Sequence, residues 1–306
     1  MLSPAPSGPS PAPPADGSHP PPIVLLTDFG VQDWFVGIMQ GVIAGIAPDR
    51  KLIDLCHETP PGDISAAGLM LEASLPYFPA GSVFCCVVDP GVGTDRRVLI
   101  ARVQRGEPGD TIWLVAPDNG LIPTGIARPA YARQTRYFAF DPDAHPQLVP
   151  ANRSTTFHGR DIFAPLAAHI SLRCAGQPEN IADLATTIDD PVQPAIEWKA
   201  PAVDRRGARG HVRYVDRFGN LITNLRFADL AAAAPGGADG RNLWRLRAGG
   251  EELRGVSESY GEHAAGAVLM YSGSMDYLEI AVNRGRASDQ LGCAVGAPIE
   301  LQFPDS

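Results

Sequence analysis

The sequence predicts an α/β N-terminal domain built on a largely parallel sheet, followed by a small C-terminal antiparallel domain that resembles a β-barrel. Three observations predict this fold. The 306 residues exceed what one hydrophobic core usually organises, strand-like and helix-like runs alternate up to about residue 190, and short glycine-punctuated runs follow residue 209. The expected divisions are a disordered Pro-rich tail (1–22), the α/β domain (23–190), a linker (191–208) and the barrel-like domain (209–306).

The elements of the first domain follow from apolar runs and their spacing. The run IVLLTDFG predicts a buried strand that enters a loop, and helical spacing over 34–46 predicts a helix that Pro48 ends. Further strands are predicted at KLIDLCH, SVFCCVV, RRVLIARV and TIWLVAP, and further helices at 64–77 and 157–170. Alternation at these lengths implies a sheet covered by helices on both faces.

The two ends of the chain differ from this pattern. Residues 1–22 are a Pro/Ser/Ala/Gly mixture, with too few apolar side chains to offset the entropy of ordering and without the layout of a secretory signal. After a Pro-rich linker, strands without intervening helices are predicted at GHVRYVD, NLITNL, LWRLRAG, AVLMYS, YLEIAVN and PIELQF.

Composition excludes several classes of function. A net charge of −9 lacks the basic surface that nucleic-acid binding requires, and no apolar stretch reaches the roughly 18 residues of a membrane span. The five cysteines, an odd number without framework spacing, favour a reducing compartment, so we expect a cytoplasmic protein. Cys85 and Cys86 lie in an apolar run and are predicted to be buried.

Polar residues follow the predicted strands of the first domain. Asp28, His57, Asp89 and Asp118 each stand near glycine or proline at a strand end, where the ligands of α/β sheets gather. His57 is interpreted as an ordinary buried polar residue. Asp28 and the nearby Asp33 suit ribose hydroxyls or an ammonium group, although Asp28 is equally well explained as the cap of the next helix.

Two segments carry the remaining chemistry of the first domain. After Asp89 come two glycines, which let the backbone approach a ligand, and then Arg96 and Arg97; a plain glycine turn with surface arginines is the alternative. His158 opens a helix, where anionic groups are favoured. No histidine pair has metal-ligand spacing and no CxxC occurs, so no metal site is predicted.

In the second domain, Phe218 and Asn220 lie in a tight turn. They offer an apolar face and an amide that suit an adenine ring, although a hairpin alone also explains them.

Seven blocks in one order carry a family resemblance: TDFGVQDWFVGIMQGVI, DLCHETPPGDISAA, VVDPGVGTDRR, APDNGLI, FHGRDIFAP, YVDRFGNLITNL and YLEIAVNRGRA. Over about residues 23–302 the chain resembles the S-adenosylmethionine (SAM) hydroxide adenosyltransferases, relatives of the fluorinases and chlorinases. The resemblance implies a homotrimer whose active sites lie between the first domain of one subunit and the second domain of its neighbour.

The resemblance also implies roles for individual residues. Asp89, Arg96 and His158 would hold and activate a water molecule. The implied substrate contacts are Asp28 with the ribose hydroxyls, Asp33 and Asp216 with the methionine ammonium, Phe157, Phe218, Asn220 and Tyr260 with adenosine, and Ser272 or Ser274 with the methionine carboxylate.

Halogenase relatives carry tyrosine at the position of Asp89, and a fluorinase-type tryptophan is replaced here by Gly62. Because a carboxylate repels halide, the resemblance implies hydrolysis of SAM to adenosine and methionine, by attack on the 5′ carbon, without a cofactor or a metal. The alternatives are a SAM-dependent halogenase of the same fold and a non-catalytic adenosine or SAM sensor. A further alternative is a magnesium-dependent phosphohydrolase that uses Asp28, Asp33, Asp89 and Asp118.

Overall fold

The computed structural model describes residues 20–173, 181–193 and 200–304. The chain forms two compact units, 1–195 and 196–306. Residues 1–19 of the predicted tail and residues 194–199 of the predicted linker lie outside the described residues. Within the described ranges, every helix is too short or too polar to cross a bilayer.

The first unit alternates strands and helices, as the periodicity predicts. Its strands are β1 (Ile23–Thr27), β2 (Leu52–Cys56), β3 (Val83–Val87), β4 (Val98–Gln104), β5 (Thr111–Pro117), β6 (Thr135–Phe140) and β7 (Thr186–Ile188). Its α-helices are α1 (Phe35–Ile46), α2 (Ile64–Ser74), α3 (Leu121–Gly125), α4 (Pro129–Ala132) and α5 (Ala164–Arg173). A 3-10 turn (Leu75–Tyr77) extends α2, and a π-helical turn (Gly159–Phe163) leads into α5.

The described strands of this unit form one sheet in the order β2-β1-β3-β5-β4-β6-β7. Strands β2, β1, β3 and β5 pair in parallel, whereas β4 pairs antiparallel with both β5 and β6. Strand β6 therefore runs in the same direction as the parallel strands, and the largely parallel sheet is confirmed. Strand β4 reverses because residues 105–110 are too few for the crossover that a parallel connection needs.

Alternating residues of β3 enter two hydrophobic cores. Cys85 and Val87 pack on the face covered by α1 and α5, whereas Phe84 and Cys86 pack on the face covered by α2 and α3. Both cysteines are fully buried, which confirms their predicted position. The predicted coverage of both sheet faces by helices is likewise present.

The second unit consists mainly of strands. They are β8 (Ala202–Asp204), β9 (Gly207–Val215), β10 (Leu221–Arg226), β11 (Arg245–Ala248), β12 (Glu251–Arg254), β13 (Val256–Ser257), β14 (Val268–Ser272), β15 (Tyr277–Val282) and β16 (Pro298–Gln302). Helices α6 (Phe227–Ala233) and α7 (Ala287–Leu291) and 3-10 turns at Gly237–Leu243 and Tyr260–Glu262 connect them.

Helices α6 and α7 contradict the expectation of strands without intervening helices. Helix α6 forms in the sequence FADLAAA, because alanine has the highest helix propensity and Leu230 supplies a buried anchor. Strand β8 lies within the segment that the sequence assigns to the linker.

The strands of the second unit follow the order β12-β11-β16-β9-β10-β15-β14-β13, and β8 pairs with β9. These pairs are antiparallel except for β13 with β14. Strand β12 also approaches β14, so the sheet is nearly closed around a core that contains the fully buried Trp244. The barrel-like prediction is confirmed.

Candidate active site

Two acidic residues lie just beyond the ends of neighbouring strands, at the same edge of the sheet of the first unit. Strands β1 and β3 are parallel neighbours, with Thr27 opposite Val87, and Asp28 and Asp89 follow these strands within two residues. Both acids therefore lie at the carboxyl edge, where the ligands of α/β sheets gather. His57, beyond the end of β2, is buried and lies 2.8 Å from Thr27 Oγ1 through its Nδ1, which agrees with its interpretation as an ordinary buried polar residue.

Arg96 joins Asp89 and His158 into one hydrogen-bonded set, which we call the triad. Arg96 Nε donates to the two carboxylate oxygens of Asp89 at 2.9 and 3.0 Å, and Nη2 donates to Asp89 Oδ2. The same Nη2 lies 2.8 Å from His158 Nδ1. The side chains of Asp89 and Arg96 are only 5% and 9% exposed, so the surface-arginine alternative is wrong for Arg96.

The contact with Arg96 fixes the protonation state of His158. A guanidinium has donors only, so His158 Nδ1 accepts and the neutral ring carries its proton on Nε2. Burial and then the positive charge of Arg96 lower the pKa of His158, against the opposing charges of Asp89 and Asp161. At neutral pH His158 therefore offers an N–H donor at Nε2 rather than a base.

Gly93 brings the loop that carries Asp89 and Arg96 against the segment that precedes His158. Its φ of +81° lies in the left-handed region, and a Cβ atom there would be 2.7 Å from the carbonyl oxygen of Thr155. Any side chain would force the two segments apart. Gly93 is therefore needed for the close approach of the two segments, which brings Arg96 to His158.

Asp161 holds the same segment from within the π-helical turn. Its Oδ2 accepts from the Ser154 backbone N–H at 2.7 Å, and Arg160 donates to its two oxygens at 2.6 and 2.8 Å. Burial raises the pKa of Asp161, but the hydrogen bonds from Arg160 and Ser154 outweigh it and lower that pKa below its ordinary value. Sequence reasoning did not single out Asp161, although an acid in the first turn of a helix was the available signal.

Arg96 and His158 also border open space. Both line a cavity of about 510 Å³ in the first unit, together with Arg153 and Asp141. Two members of the triad are thus accessible to molecules of the size of water.

Asp28 does not cap the following helix. Its Oδ2 accepts from the backbone N–H of Gly62 at 2.8 Å, whereas α1 has Trp34 at its N-cap without a side-chain cap. The capping interpretation is therefore wrong. Asp33 is exposed in the loop before α1.

Phe157 belongs to an aromatic cluster beside the triad. Its ring meets those of Phe29 and Phe35 edge-on, with centroids 6.1 and 5.1 Å apart. Gly159 lets these rings approach the π-helical turn, because a Cβ atom there would lie 3.1 Å from Phe29. The cluster fixes the direction of the residue that precedes His158.

Asp118 is bound by the arginine next to Arg96. It accepts from Arg97 Nε at 2.7 Å and from the backbone N–H of Val192 at 2.8 Å, and Arg97 also bonds Asp190. Asp89 and Asp118 are thus each paired with an arginine, which disfavours a magnesium ion shared between them. In the part of the chain that the structure describes, no three His, Cys, Asp or Glu side chains are grouped as metal ligands.

In the second unit, Asp216 organises the turn between β9 and β10. Its carboxylate accepts from both the backbone N–H and the side-chain amide of Asn220 at 2.8 Å. Gly219, with φ of +82°, lets this turn lie against Arg286. Phe218 at the tip of the turn remains 73% exposed.

Three predicted adenosine contacts come together in this unit. Phe218, Asn220 and Tyr260 line a cavity of about 550 Å³ with Val282 and residues 284–286, which we call the aromatic cavity. Ser272 ends β14 and Ser274 lies in the turn that follows; both are exposed, and neither lines the aromatic cavity.

Comparison with known families covers both units. The model of the SAM hydroxide adenosyltransferase N-terminal domain matches residues 23–181, and the model of the C-terminal domain matches residues 210–300. The chain belongs to the SAM hydroxide adenosyltransferase family.

Individual relatives agree with this assignment. The (R)-S-adenosyl-L-methionine hydrolase of Thermus thermophilus is 36% identical to this adenosyltransferase-family chain, covering 92% of the chain and 99% of the relative. The hydrolase of the same name from Salinispora tropica is 35% identical, covering 90% of the chain and 95% of the relative. A fluorinase from Nocardia brasiliensis is 26% identical, with coverage of 92% and 97%.

The fold of this adenosyltransferase-family chain also matches a solved structure. An uncharacterized conserved protein from Thermotoga maritima superposes with a TM-score of 0.79 at 32% identity, covering 92% of this chain and 99% of the other.

Proposed function

We propose that the protein hydrolyses S-adenosyl-L-methionine to adenosine and L-methionine. The observation that carries the proposal is the hydrogen-bonded Asp89–Arg96–His158 triad in a member of the SAM hydroxide adenosyltransferase family. Relatives named (R)-S-adenosyl-L-methionine hydrolase support the same reaction, and the fluorinase relative is less similar.

The substrate needs a nucleophile rather than an acid. The methionine sulfur of SAM leaves as a neutral thioether and keeps the electron pair of the broken C5′–S bond. The oxygen of water forms the new C5′–O bond from the opposite side, so the 5′ carbon inverts, and the proton that the water loses passes to the solvent. Such an attack requires the oxygen about 3 to 3.5 Å from the carbon and in line with the leaving sulfur.

The triad supplies that oxygen in a fixed position. His158 donates from Nε2 to the water oxygen and stabilises it as hydroxide character develops. Asp89 keeps lone pairs beyond those used by Arg96 and accepts a water proton in a hydrogen bond. Arg96 holds both partners, so this geometry exists before substrate binds. Attack by a negative oxygen on a sulfonium removes both charges, which a poorly solvated site favours.

The remaining predicted residues bind the substrate. Asp28 chelates the ribose hydroxyls, and its orientation by Gly62 supports that role. The proposed contacts are completed by Asp33 and Asp216 at the methionine ammonium, Phe157, Phe218, Asn220 and Tyr260 around adenosine, and Ser272 at the carboxylate. Substrate, water and these side chains are sufficient for the reaction, without a metal or a cofactor.

We place the enzyme in the cytoplasm as a homotrimer, with each active site between two subunits. The free cysteines Cys56, Cys85, Cys86 and Cys293 suit a reducing compartment. Trp34 and Phe218 are 67% and 73% exposed and supply apolar surface for contacts between copies of the chain. Light scattering tests the trimer through the mass in solution.

The decisive experiment is turnover of SAM in water enriched in heavy oxygen. We expect adenosine and methionine in equal amounts, with the heavy oxygen in the 5′ hydroxyl of adenosine. Unlabelled adenosine would exclude direct attack by water.

The same assay separates the alternatives. Parallel reactions with added fluoride or chloride test a halogenase, which would release a 5′-halogenated nucleoside. A reaction with added chelator tests the magnesium-dependent alternative, which would lose its activity. Stable SAM binding without released methionine would identify a sensor.

A further inference from the structure

The aromatic cavity is connected to a buried carboxyl group through two tyrosines. Tyr260, which lines the cavity and is 37% exposed, donates from its hydroxyl to the Tyr271 hydroxyl at 2.8 Å. Tyr271 in turn donates to Oε2 of Glu279. The two tyrosine rings lie 5.2 Å apart and are tilted by 53°. A continuous path of hydrogen bonds therefore runs from the cavity wall into the interior of the second unit.

The sheet fixes the inner end of this path. Tyr271 on β14 and Glu279 on β15 face each other directly in the antiparallel register. Glu279 is only 7% exposed, and a Cβ atom at Gly273 would overlap its carboxyl group. Backbone pairing and the missing side chain at Gly273 together hold the Glu279 carboxyl group in one place.

The carboxyl group of Glu279 is costly to bury. Burial raises its pKa, the charge of Asp216 raises it further, and the hydrogen bond from Tyr271 acts in the opposite direction. Burial and the bond to Glu279 also raise the pKa of Tyr271, which therefore remains a donor at all ordinary pH values. Replacement of buried ionic pairs by apolar residues is often neutral or stabilising, so a role beyond stability is worth testing for this pair.

Asn283, which directly follows β15, bonds the loop of Tyr260 at a second point. The side-chain amide of Asn283 donates to the carbonyl oxygen of His263 at 2.6 Å. The backbone of Asn283 pairs with Gly266 and Ala267 at 2.8 and 3.0 Å. Strand β15 and the residue that follows it therefore contact Tyr260 through Tyr271 and also bond the loop that carries Tyr260.

We propose that Glu279, acting through Tyr271, is a positioning residue that sets the orientation of Tyr260 and thereby the affinity of the aromatic cavity for the adenosine part of the substrate. The inference rests on the proposed function for the identity of the ligand. None of the three residues belongs to the triad, and Tyr260 lines the aromatic cavity, so we expect binding rather than the chemical step to depend on them.

The test compares Tyr260→Phe, Tyr271→Phe and the double variant, with adenosine binding by calorimetry and SAM turnover measured on each. Tyr271→Phe keeps the ring but removes the hydroxyl that bonds both Tyr260 and Glu279. We therefore expect the adenosine Kd and the KM for SAM to rise about fivefold to tenfold, with kcat within about twofold. Both single variants break the same hydrogen bond, so the double variant should bind adenosine no worse than Tyr271→Phe alone. Tyr77→Phe, at a tyrosine 77% exposed in the first unit, is the matched control and should be unchanged.

Substitution of Glu279 separates positioning from folding. Glu279→Gln keeps the shape and an acceptor oxygen and should retain most of the adenosine affinity, whereas Glu279→Leu should lose as much as Tyr271→Phe. Should Tyr271→Phe fail to fold, Tyr260→Phe still tests the path, because it removes the hydrogen bond to Tyr271 and keeps the ring at the cavity wall.

The outcomes separate this inference from the proposed function. A wild-type enzyme that cleaves SAM, together with a Tyr271→Phe variant of unchanged adenosine Kd or with additive losses in the double variant, overturns the inference alone. A wild-type protein that binds adenosine but releases none from SAM overturns the hydrolase, while a weakened Kd in Tyr271→Phe would still support the positioning role.

Discussion

The two units present opposite kinds of surface to a ligand. In the first, Asp89 and Arg96 are almost fully buried and already paired, so the triad is assembled in the absence of substrate. In the second, Phe218 is 73% exposed at the edge of an open cavity. A set that is rigid before binding suits stabilisation of a transition state, whereas exposed apolar surface gains free energy only when a ligand covers it. We therefore expect substitutions in the triad to change kcat and substitutions at the aromatic cavity to change KM.

The strongest test of this division is loss of the residue that holds the triad. Arg96→Met removes the partner of both Asp89 and His158, and we expect kcat to fall about 10³-fold with a small change in KM. Arg97→Met is a matched control, since it also leaves a buried carboxylate, Asp118, without its arginine. Both variants should lose comparable stability in thermal unfolding, but only Arg96→Met should lose its turnover. Equal loss of kcat in the two variants would assign the effect to folding.

His158 should have the next largest effect. His158→Ala removes the Nε2–H that we propose as donor to the attacking oxygen, and loss of one such donor lowers kcat by about 10² to 10³. KM should stay within about threefold, as measured by initial rates over a range of SAM concentrations. An increase in KM without a change in kcat would move His158 from the chemistry to binding.

The pH dependence of kcat sharpens the assignment of His158. Its pKa is lowered by burial and by Arg96, so the ring is neutral at pH 7 and gains a proton only in more acidic solution. That proton would sit on Nδ1, directly against the guanidinium. We therefore expect kcat to be flat around neutrality and to fall as the pH drops below the ordinary histidine range, with that acidic limb altered in His158→Gln. A fall of kcat with rising pH through neutrality would contradict this protonation state.

The second unit should respond in affinity alone. Phe218→Ala removes the ring that we propose to stack on adenine, and stacking is worth about 1 to 3 kcal/mol per base, so KM should rise about tenfold or more with kcat nearly unchanged. Leu243→Ala, at a similarly exposed apolar residue of the same unit, is the control. A large loss of kcat in Phe218→Ala would break the division between the units.

The smallest effect is expected at Asp161, which supports the triad without belonging to it. Asp161→Asn weakens the pair with Arg160 but keeps an acceptor for the Ser154 N–H, so kcat should fall only about threefold. Asp161→Ala removes that acceptor, so its kcat should fall further. Identical rates in the two variants would show that the Ser154 contact does not position His158.

Strand identity was predictable because short β-rich runs are bounded by glycine and proline, and the edge that carries Asp28 and Asp89 follows from parallel pairing. The reversal of β4 depends on the length of one loop, which apolar periodicity does not report. Helix α6 was missed because its alanine run has little amphipathic contrast.

Within the site, the partners of side chains were the least predictable part. The family resemblance groups Asp89, Arg96 and His158, but it does not reveal that one guanidinium nitrogen serves both neighbours. Nor does it reveal that Asp28 bonds Gly62 instead of capping a helix, since the two positions are 34 residues apart. Hydrogen bonds across such separations depend on the packing of whole elements.

The neighbouring thiols of β3 can serve as probes of local opening on the two sides of the sheet. Cys85 and Cys86 are adjacent in the chain, yet the pleat sends one beneath the layer that carries the His158 helix and the other beneath the opposite layer. A thiol reagent reaches either sulfur only when the corresponding layer opens. The rates of labelling at the two positions, resolved by mass spectrometry, would therefore report separately on the local opening of the two layers. The native cysteines are the only probes that this measurement needs.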